Sequence, residues 1–519
     1  MRAHAGQLVM HVDRPEVILN AIPGGRIAPV NGNRFVVVPH TADVVKVLRN
    51  LGLDPPLISL DDFHYTGRHQ PFKHQRFSTQ FLITHKRAFN LSDMGTGKTK
   101  SALWAAEYLM QQGFIKRIII ACPLSVVSVW EEEAWNTVPH RSISRLLGSR
   151  ERRLDVMKKG AEICVINHDG LTTIEEAVGR AEFDLLIVDE ASAYRNASTR
   201  RYKRLKRLTV GVTGEFRAIP WLWLMTGTPT PKAPTDAYGL IKLVNPNSFL
   251  SGFGVFKEIT MMKVANFKWV PRPMAKEYVF QHLQPAIRFK KSECLDLPPV
   301  THVNRMAELT EQQKKAYKLM KARMVMEKVE GERITAANAA VKLLKLLQIC
   351  CGSIKDNAGK HYQLECNKRL DVLDETIQEA GGKAIVFIPF LGVMSMVESD
   401  LKKRGYKTGL VNGDVGFTAR TKIFDEFQRG DTAVLIAHPR TAAHGLNLTA
   451  SSTIIWYAPI FSAEQYLQAN NRIDRPGQTE AMTIAHIIAT PMEAGLYRAL
   501  WGQVSMQQAI LEQYEGLMK

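Results

Sequence analysis

Gly95-Thr-Gly-Lys-Thr99 is the segment that most restricts how this chain can fold, because two glycines just ahead of a lysine and a threonine make a loop that closes around phosphate. The glycines let backbone N–H groups turn toward β- and γ-phosphates, Lys98 adds a point charge there, and the Thr99 hydroxyl can ligate a magnesium ion. A helix beginning at this point aims its positive end at the same phosphates. Gly95, Thr96, Gly97, Lys98 and Thr99 are thus candidate binders of ATP. Ser92 stands where the strict pattern has glycine.

The pattern around this loop is that of parallel sheets covered by helices. Residues 67–295 alternate apolar runs with helical stretches, and 117–121, 163–166, 185–188 and 221–225 are predicted strands. Each ends in a polar or charged turn, which belongs at the carboxyl edge of a doubly wound sheet, where ligands bind. A mainly helical stretch near 308–349 interrupts the alternation, which resumes with predicted strands 384–388, 409–411, 434–436, 453–457 and 483–488. The expected fold is α/β with two similar lobes: lobe one over 67–295, a mainly helical linker and protrusion over 296–380, and lobe two with C-terminal brace helices over 381–519. Ahead of them, 26–30 and 34–38 flank Asn31-Gly32-Asn33, a strong hairpin signal, and Thr41 can cap the helix that follows. Residues 1–66 therefore read as a small N-terminal hairpin-helix accessory module.

Leu185-Leu-Ile-Val-Asp189-Glu190 is a buried strand ending in two carboxylates. In that arrangement Asp189 holds magnesium and Glu190 orients or activates the attacking water. Thr226-Gly-Thr228-Pro follows another strand, and its hydroxyls can link the phosphate site to a nucleic-acid track. Far downstream, Arg472 and Arg475 are three apart, so on a helix they share a face and reach one phosphate. As arginine fingers from the second lobe they would complete the site only on lobe closure, coupling hydrolysis to domain motion.

Charge points to the second ligand. Sixty-eight Lys and Arg against 50 Asp and Glu leave a net +18, an excess that predicts a polyanionic partner, nucleic acid first among them. Arg195, Arg200, Arg201, Lys203, Arg204, Lys206 and Arg207 crowd one segment with no acidic residue from 191 to 208; Lys290 and Lys291 belong to a second patch. Arg200, Arg201, Lys203, Arg204, Lys290 and Lys291 are the candidate phosphate contacts. Contacts of this kind carry no sequence information, and the sparse aromatics nearby favour duplex over single strand. No apolar run of membrane-spanning length and no secretory signal occur, and the six cysteines form no disulfide framework, so a reducing interior is expected.

Taken in order, Phe72-Lys-His-Gln75, Asp93 to Thr99, Cys122-Pro-Leu-Ser125, Asp189-Glu-Ala-Ser192, Leu224-Met-Thr-Gly-Thr-Pro229, Arg288 to Pro299, Ala384 to Ile388, Gly445-Leu-Asn-Leu448 and Gln468 to Gln478 resemble the motifs of one family. It is the Swi/Snf-type branch of superfamily-two helicases, which includes chromatin remodellers and annealing helicases. The resemblance covers roughly 70–519 and implies two RecA-like lobes and a DNA-dependent ATPase using ATP and Mg2+. It further implies sequence-independent movement along double-stranded DNA, with branched or forked DNA a further candidate substrate. Gln75 would read adenine, Gly445 would lie at the nucleotide, and Gln468 would act with Thr226 and Thr228 in coupling. Ser192 replaces a histidine common in the family, and Thr441-Ala-Ala-His444-Gly445 replaces a glycine-rich loop. The small size suggests a bacterial or viral origin, hence a cytoplasmic site in a bacterium or infected host, with a nuclear one as the other candidate. A strand-separating DNA or RNA helicase, or a nucleotide-gated DNA-binding scaffold, are the competing readings.

Overall fold

Ile118–Cys122 and Trp221–Met225 are buried at every position, the mark of strands covered on both faces by helices. They are inner strands of a seven-stranded parallel sheet. The computed structural model describes all residues except 5–6, 31–32, 59, 61–62, 232, 249–251, 266–267, 330–335, 356–360, 443–447 and 503–519. The chain divides into two units, Met1–Cys294 and Leu295–Lys519.

The first unit opens with β1 (Arg2–His4), β2 (Gln7–Met10), α1 (Pro15–Ala21), β3 (Arg26–Val30), β4 (Asn33–Pro39) and α2 (Ala42–Asn50). The strands form an antiparallel sheet in the order β1-β2-β4-β3. The expected hairpin is the β3–β4 pair, its Asn31-Gly32 tip lying outside the described residues. The two strands ahead of it, three and four residues long, are too short for alternation to announce. Thr41 caps α2, its Oγ1 accepting the Val44 N–H at 3.4 Å.

Then come α3 (Lys73–Thr84), β5 (Arg87–Asn90), α4 (Lys98–Gln111), β6 (Ile118–Cys122), α5 (Val127–Thr137), β7 (Ile143–Leu146), α6 (Arg150–Lys158) and β8 (Ile163–Asn167). They are followed by α7 (His168–Thr173), α8 (Glu175–Arg180), β9 (Leu185–Asp189), α9 (Arg200–Val210), β10 (Trp221–Met225) and α10 (Ala237–Val244). The unit closes with α11 (Phe253–Thr260), the β11 (Met261–Ala265)–β12 (Lys268–Pro271) hairpin, α12 (Ala275–His282), β13 (Ala286–Ile287) and α13 (Lys291–Cys294). The main sheet runs β13-β5-β10-β9-β6-β8-β7, every pair parallel. Alternate residues of each strand feed two cores: Ile118, Ile120, Leu185 and Ile187 on one face, Ile119, Ala121, Leu186 and Val188 on the other. The first core also takes in Leu8, Met10, Val36, Val38, Val45 and Leu48, so the N-terminal sheet and α2 share one apolar interior with the main sheet.

The second unit contains β14 (Val300–Met306), α14 (Glu311–Val329), α15 (Ala336–Cys350), the β15 (Ser353–Lys355)–β16 (His361–Gln363) hairpin, α16 (Asn367–Glu379), β17 (Ala384–Phe387), α17 (Leu391–Lys403) and β18 (Thr408–Val411). It ends with α18 (Phe417–Arg429), β19 (Val434–Ala437), α19 (Pro439–Ala442), β20 (Thr453–Trp456), α20 (Ala463–Asn470), β21 (Met482–Ile488) and α21 (Pro491–Leu500). Its sheet, β14-β21-β20-β17-β19-β18, is also wholly parallel. Val300–Met306, read from sequence as part of a helical linker, is instead its edge strand. Its mixed burial reflects one partner strand and no continuous apolar run. The brace helices expected at the end of the chain fall partly on 503–519, outside the described residues.

Candidate active site

Three sequence motifs end on three adjacent strands. In the parallel register Asn90 of β5 stands opposite Met225 of β10, and Met225 opposite Asp189 of β9. The phosphate loop, Thr226-Gly-Thr228 and Asp189-Glu190 therefore leave the sheet side by side at its carboxyl edge, the first and last about 10 Å apart, two strand spacings. β6 lies beyond β9 and delivers Cys122-Pro-Leu-Ser125 to the same edge.

The loop is shaped by its glycines. Gly95 and Gly97 have φ of +84° and +80°, and Gly97 is the N-cap of α4. A Cβ built on Gly97 would fall 2.1 Å from Gln75 Nε2, so a side chain there would have to displace the Gln75 amide. Gln75 Nε2 donates to the Thr96 carbonyl at 3.1 Å, while its Oε1 accepts the Phe72 N–H at 3.0 Å. His74 Nε2 also meets the Thr96 carbonyl, at 2.8 Å. The residue expected to read adenine thus also buttresses the phosphate loop. Lys98 Nζ donates to the carbonyls of Ser92 at 2.7 Å and Asp93 at 3.0 Å, which pins the ammonium over the loop. Thr226 is buried with its N–H on the Asn90 carbonyl at 3.1 Å, and its Oγ1 accepts the Thr228 N–H at 3.2 Å.

Asp189 is half-buried and held at both oxygens: Oδ2 accepts the Trp130 indole N–H at 2.9 Å and Oδ1 accepts the Glu190 N–H at 3.0 Å. Glu190 takes the left-handed conformation, φ 50° and ψ 51°, one of two non-glycine residues at positive φ among the described residues, with Glu182. Burial, with the Asp189 carboxylate second, raises the neighbouring Cys122 thiol well above its usual range. Thr99 in the first turn of α4 and Asp189 at the end of β9 offer hard oxygen donors, which suit magnesium. Among the described residues no group of three or more His, Cys, Asp or Glu could hold an ion unaided. Sequence reasoning missed Trp130, because a tryptophan on an amphipathic helix looks like any core aromatic until its N–H is seen to point at a carboxylate.

In the second unit, Arg472 and Arg475 do not share a helix face. α20 stops at Asn470 and both arginines lie in the turn after it; Pro476 disfavours helix at Arg475, and Gly477 has φ +99°. Arg472 is buried and its Nε donates to the Gln468 carbonyl at 3.0 Å; Arg475 is half-buried with Nε on the Asn471 carbonyl at 2.8 Å. Gln468 is itself buried. The Leu448 N–H donates to the Arg472 carbonyl at 3.1 Å, bringing this turn against the segment after β19. His444 and Gly445 of that segment lie outside the described residues.

The basic segment after Asp189 is α9, capped by Thr199 Oγ1 on the Tyr202 N–H at 3.3 Å. Its cations fall into two stripes. Arg200, Lys203 and Lys206 are exposed. Arg201 pairs with Asp169 at 2.6 Å, Arg204 with buried Glu175, and Arg207 with Glu175 at 3.4 Å and Glu215 at 3.0 Å. The absence of acidic residues from 191 to 208 therefore overstated the charge of this face, since α7 and α8 bring carboxylates to it. Lys290 is exposed beside Glu293 at 3.0 Å, and the Lys291 N–H bonds Asp93. Among the described residues no helix is long and apolar enough to cross a membrane.

The family model of the SNF2-related domain matches residues 74–354, and that of the helicase conserved C-terminal domain matches 368–477. The chain is similar to chromodomain-helicase-DNA-binding protein 1-like of Danio rerio, 24% identical over 446 residues, 81% of this chain and 41% of that protein. It is 26% identical over 448 residues to putative protein p41 of Acyrthosiphon pisum secondary endosymbiont phage 1, covering 81% of this chain and 93% of the phage protein. An uncharacterised ATP-dependent helicase of Mycoplasma genitalium is 25% identical over 404 residues, 76% of this chain and 37% of that one. This chain thus spans well under half of the fish and mycoplasma proteins and nearly all of the phage protein. Among solved structures, the SWI2/SNF2 ATPase core of Sulfolobus solfataricus in complex with dsDNA is 20% identical, with a TM-score of 0.43, over 89% of this chain and 98% of that one.

Proposed function

We propose, from the premise that this chain belongs to the SNF2-related family, that it is a DNA-dependent ATPase which moves along double-stranded DNA and remodels DNA or the proteins bound to it. The observation that carries this reading is the delivery of the phosphate loop, Asp189-Glu190 and Thr226-Gly-Thr228 to one sheet edge by adjacent strands. In this reading Gly95, Thr96, Gly97 and Lys98 hold the triphosphate, Thr99 and Asp189 hold the magnesium ion, and Gln75 reads the base. Magnesium, when bound, neutralises charge on the phosphates. Glu190 orients or activates the attacking water.

Arg472 and Arg475 supply the positive charge that the γ-phosphoryl group needs as it leaves, a contribution on the order of a thousandfold or more in rate. Arg472 is held by its Nε on the Gln468 carbonyl, and engagement of such fingers with the nucleotide would join hydrolysis to conformational change. On the nucleic-acid side, the exposed Arg200, Lys203 and Lys206 on α9 meet backbone phosphate, which reads no sequence. Arg201 and Arg204 hold that helix in place through their carboxylate partners.

The test is ATP hydrolysis by the purified chain with no nucleic acid, single-stranded DNA, double-stranded DNA and structured RNA at fixed salt, beside Lys98→Ala. Stimulation greatest with duplex DNA and abolished in the variant is the expected result. Stimulation by single strands or RNA alone would replace the translocase with a strand-separating helicase. DNA binding indifferent to nucleotide, with no turnover, would leave a scaffold.

A further inference from the structure

The stretch from Pro285 to Lys291 ends the first unit just before the second begins at Leu295, and it is stitched along the entry to the phosphate loop. The Phe89 N–H donates to the Pro285 carbonyl at 2.9 Å, Leu91 to Ile287 at 2.8 Å and Asp93 to Phe289 at 3.0 Å, so the β13–β5 ladder continues beyond both strands. Two loop side chains extend the seam. Ser92 Oγ accepts the Phe289 N–H at 3.2 Å, and Asp93 Oδ2 accepts the Lys291 N–H at 3.1 Å, with Arg288 Nη2 3.8 Å from Asp93 Oδ1. The serine in place of a glycine in the loop therefore supplies a hydroxyl to this seam.

Asp93 faces the other way as well. Its carbonyl accepts Lys98 Nζ at 3.0 Å and Thr96 Oγ1 at 2.8 Å. One residue thus holds the phosphate-loop lysine by its backbone and the connector into the second unit by its side chain. A triphosphate competes with the Ser92 and Asp93 carbonyls for the ammonium, because an anionic acceptor forms the stronger hydrogen bond.

We propose that Asp93 is a relay residue: nucleotide that draws Lys98 off the Asp93 carbonyl shifts Asp93, and through its carboxylate alters the hold on Arg288–Lys291, the connector bearing the exposed cations Arg288 and Lys290. This rests on the loop binding nucleotide and is independent of which nucleic acid the chain tracks. It makes Asp93 a positioning residue, acting on the connector through hydrogen bonds and charge.

Hydrogen exchange on the full chain, with and without magnesium and a slowly hydrolysed ATP analogue, tests it. In the wild type, peptides covering 285–291 change exchange rate severalfold on adding nucleotide. Asp93→Ala abolishes that change, whereas Asp93→Asn, which keeps an acceptor for the Lys291 N–H, retains most of it. The ratio of duplex-stimulated to basal turnover falls severalfold in Asp93→Ala and is largely rescued in Asp93→Asn. If nucleotide binds and 285–291 do not respond in the wild type, or if Asp93→Ala lowers nucleotide affinity and both turnover rates in step, Asp93 is only a scaffold of the loop and the relay is overturned. Lack of nucleotide binding in the wild type removes the proposed function and the relay together. Binding without duplex stimulation removes only the DNA-tracking part, and the exchange result still decides the relay.

Discussion

The indole N–H of Trp130 donates to Asp189 Oδ2 across 2.9 Å, tying the first turn of α5 to the carboxylate at the end of β9. Trp130 has no exposed surface, and the second oxygen of Asp189 is taken by the Glu190 N–H, so the carboxylate has one defined orientation. Trp130→Phe keeps an aromatic ring there and removes the donor, a bond worth about 1.5–3 kcal/mol because the acceptor is charged. The expected outcome is a several-fold rise in the magnesium concentration needed for half-maximal turnover and for tight binding of a fluorescent ATP analogue. A magnesium titration identical to wild type would show that the indole only fills space.

Gly97→Ala should cost nucleotide binding at least tenfold. The new methyl group lands 2.1 Å from Gln75 Nε2 and the backbone sits at φ +80°, so both the Gln75–Thr96 bond and the loop must give way. Gly113→Ala is the control, since φ there is +73° but nothing lies within 4 Å. That change carries only the left-handed backbone penalty of about 1–2 kcal/mol. Thermal denaturation and analogue binding on both variants separate the two effects.

On α9 the two stripes of cations should separate in experiment. Replacing Arg200, Lys203 and Lys206 by Gln is expected to weaken duplex binding without destabilising the first unit. It should also flatten the dependence of log affinity on log salt by up to about 0.9 per lost phosphate contact. Arg204→Gln instead strips a partner from Glu175, whose side chain is 1% exposed, and should destabilise the unit by about 1–3 kcal/mol with little change in salt slope. Salt-titrated fluorescence anisotropy together with denaturant melts distinguishes them.

Stability of the second unit should fall with acid through His486. This residue of β21 is fully buried, with Nε2 2.7 Å from the Tyr466 hydroxyl and its ring stacked on His302 at 5.7 Å. Burial, then the neighbouring His302, lowers its pKa from 6.5 to about 3. The folded value lies below the unfolded one, so the unfolded chain takes up the proton first. Stability is complete above pH 6.5 and drains as pH drops toward 3, by about 1.4 kcal/mol per unit from this group. His486→Gln removes the titration, and denaturant unfolding of both proteins at pH 7 and pH 5 should show a smaller loss in the variant by about 2 kcal/mol.

Strands were legible where burial was two-sided. Leu185 to Val188 and Trp221–Met225 are apolar throughout because helices cover both faces, and a continuous apolar run survives in the sequence. Ile143–Leu146 and Val300–Met306 are edge strands with one partner each, so their apolar signal is diluted and sequence periodicity passes over them.

The sequence by itself determined the ingredients: a glycine loop ahead of Lys98 and Thr99, two carboxylates at a strand end, paired arginines before Pro476, and a large basic excess. These are local, set by which side chains and backbone angles neighbouring residues allow. Only the tertiary structure decided what each ingredient faces. Glu175 lies 29 residues before Arg204 and neutralises it, Trp130 lies 59 residues before Asp189 and orients it, and Lys291 lies 198 residues after Asp93 and is held by it. Hydrogen bonds and ion pairs act over a few ångströms of space and are blind to distance along the chain. Which charges stay exposed to a ligand, and which are spent inside the protein, is therefore fixed by the packing of the sheet and its helices.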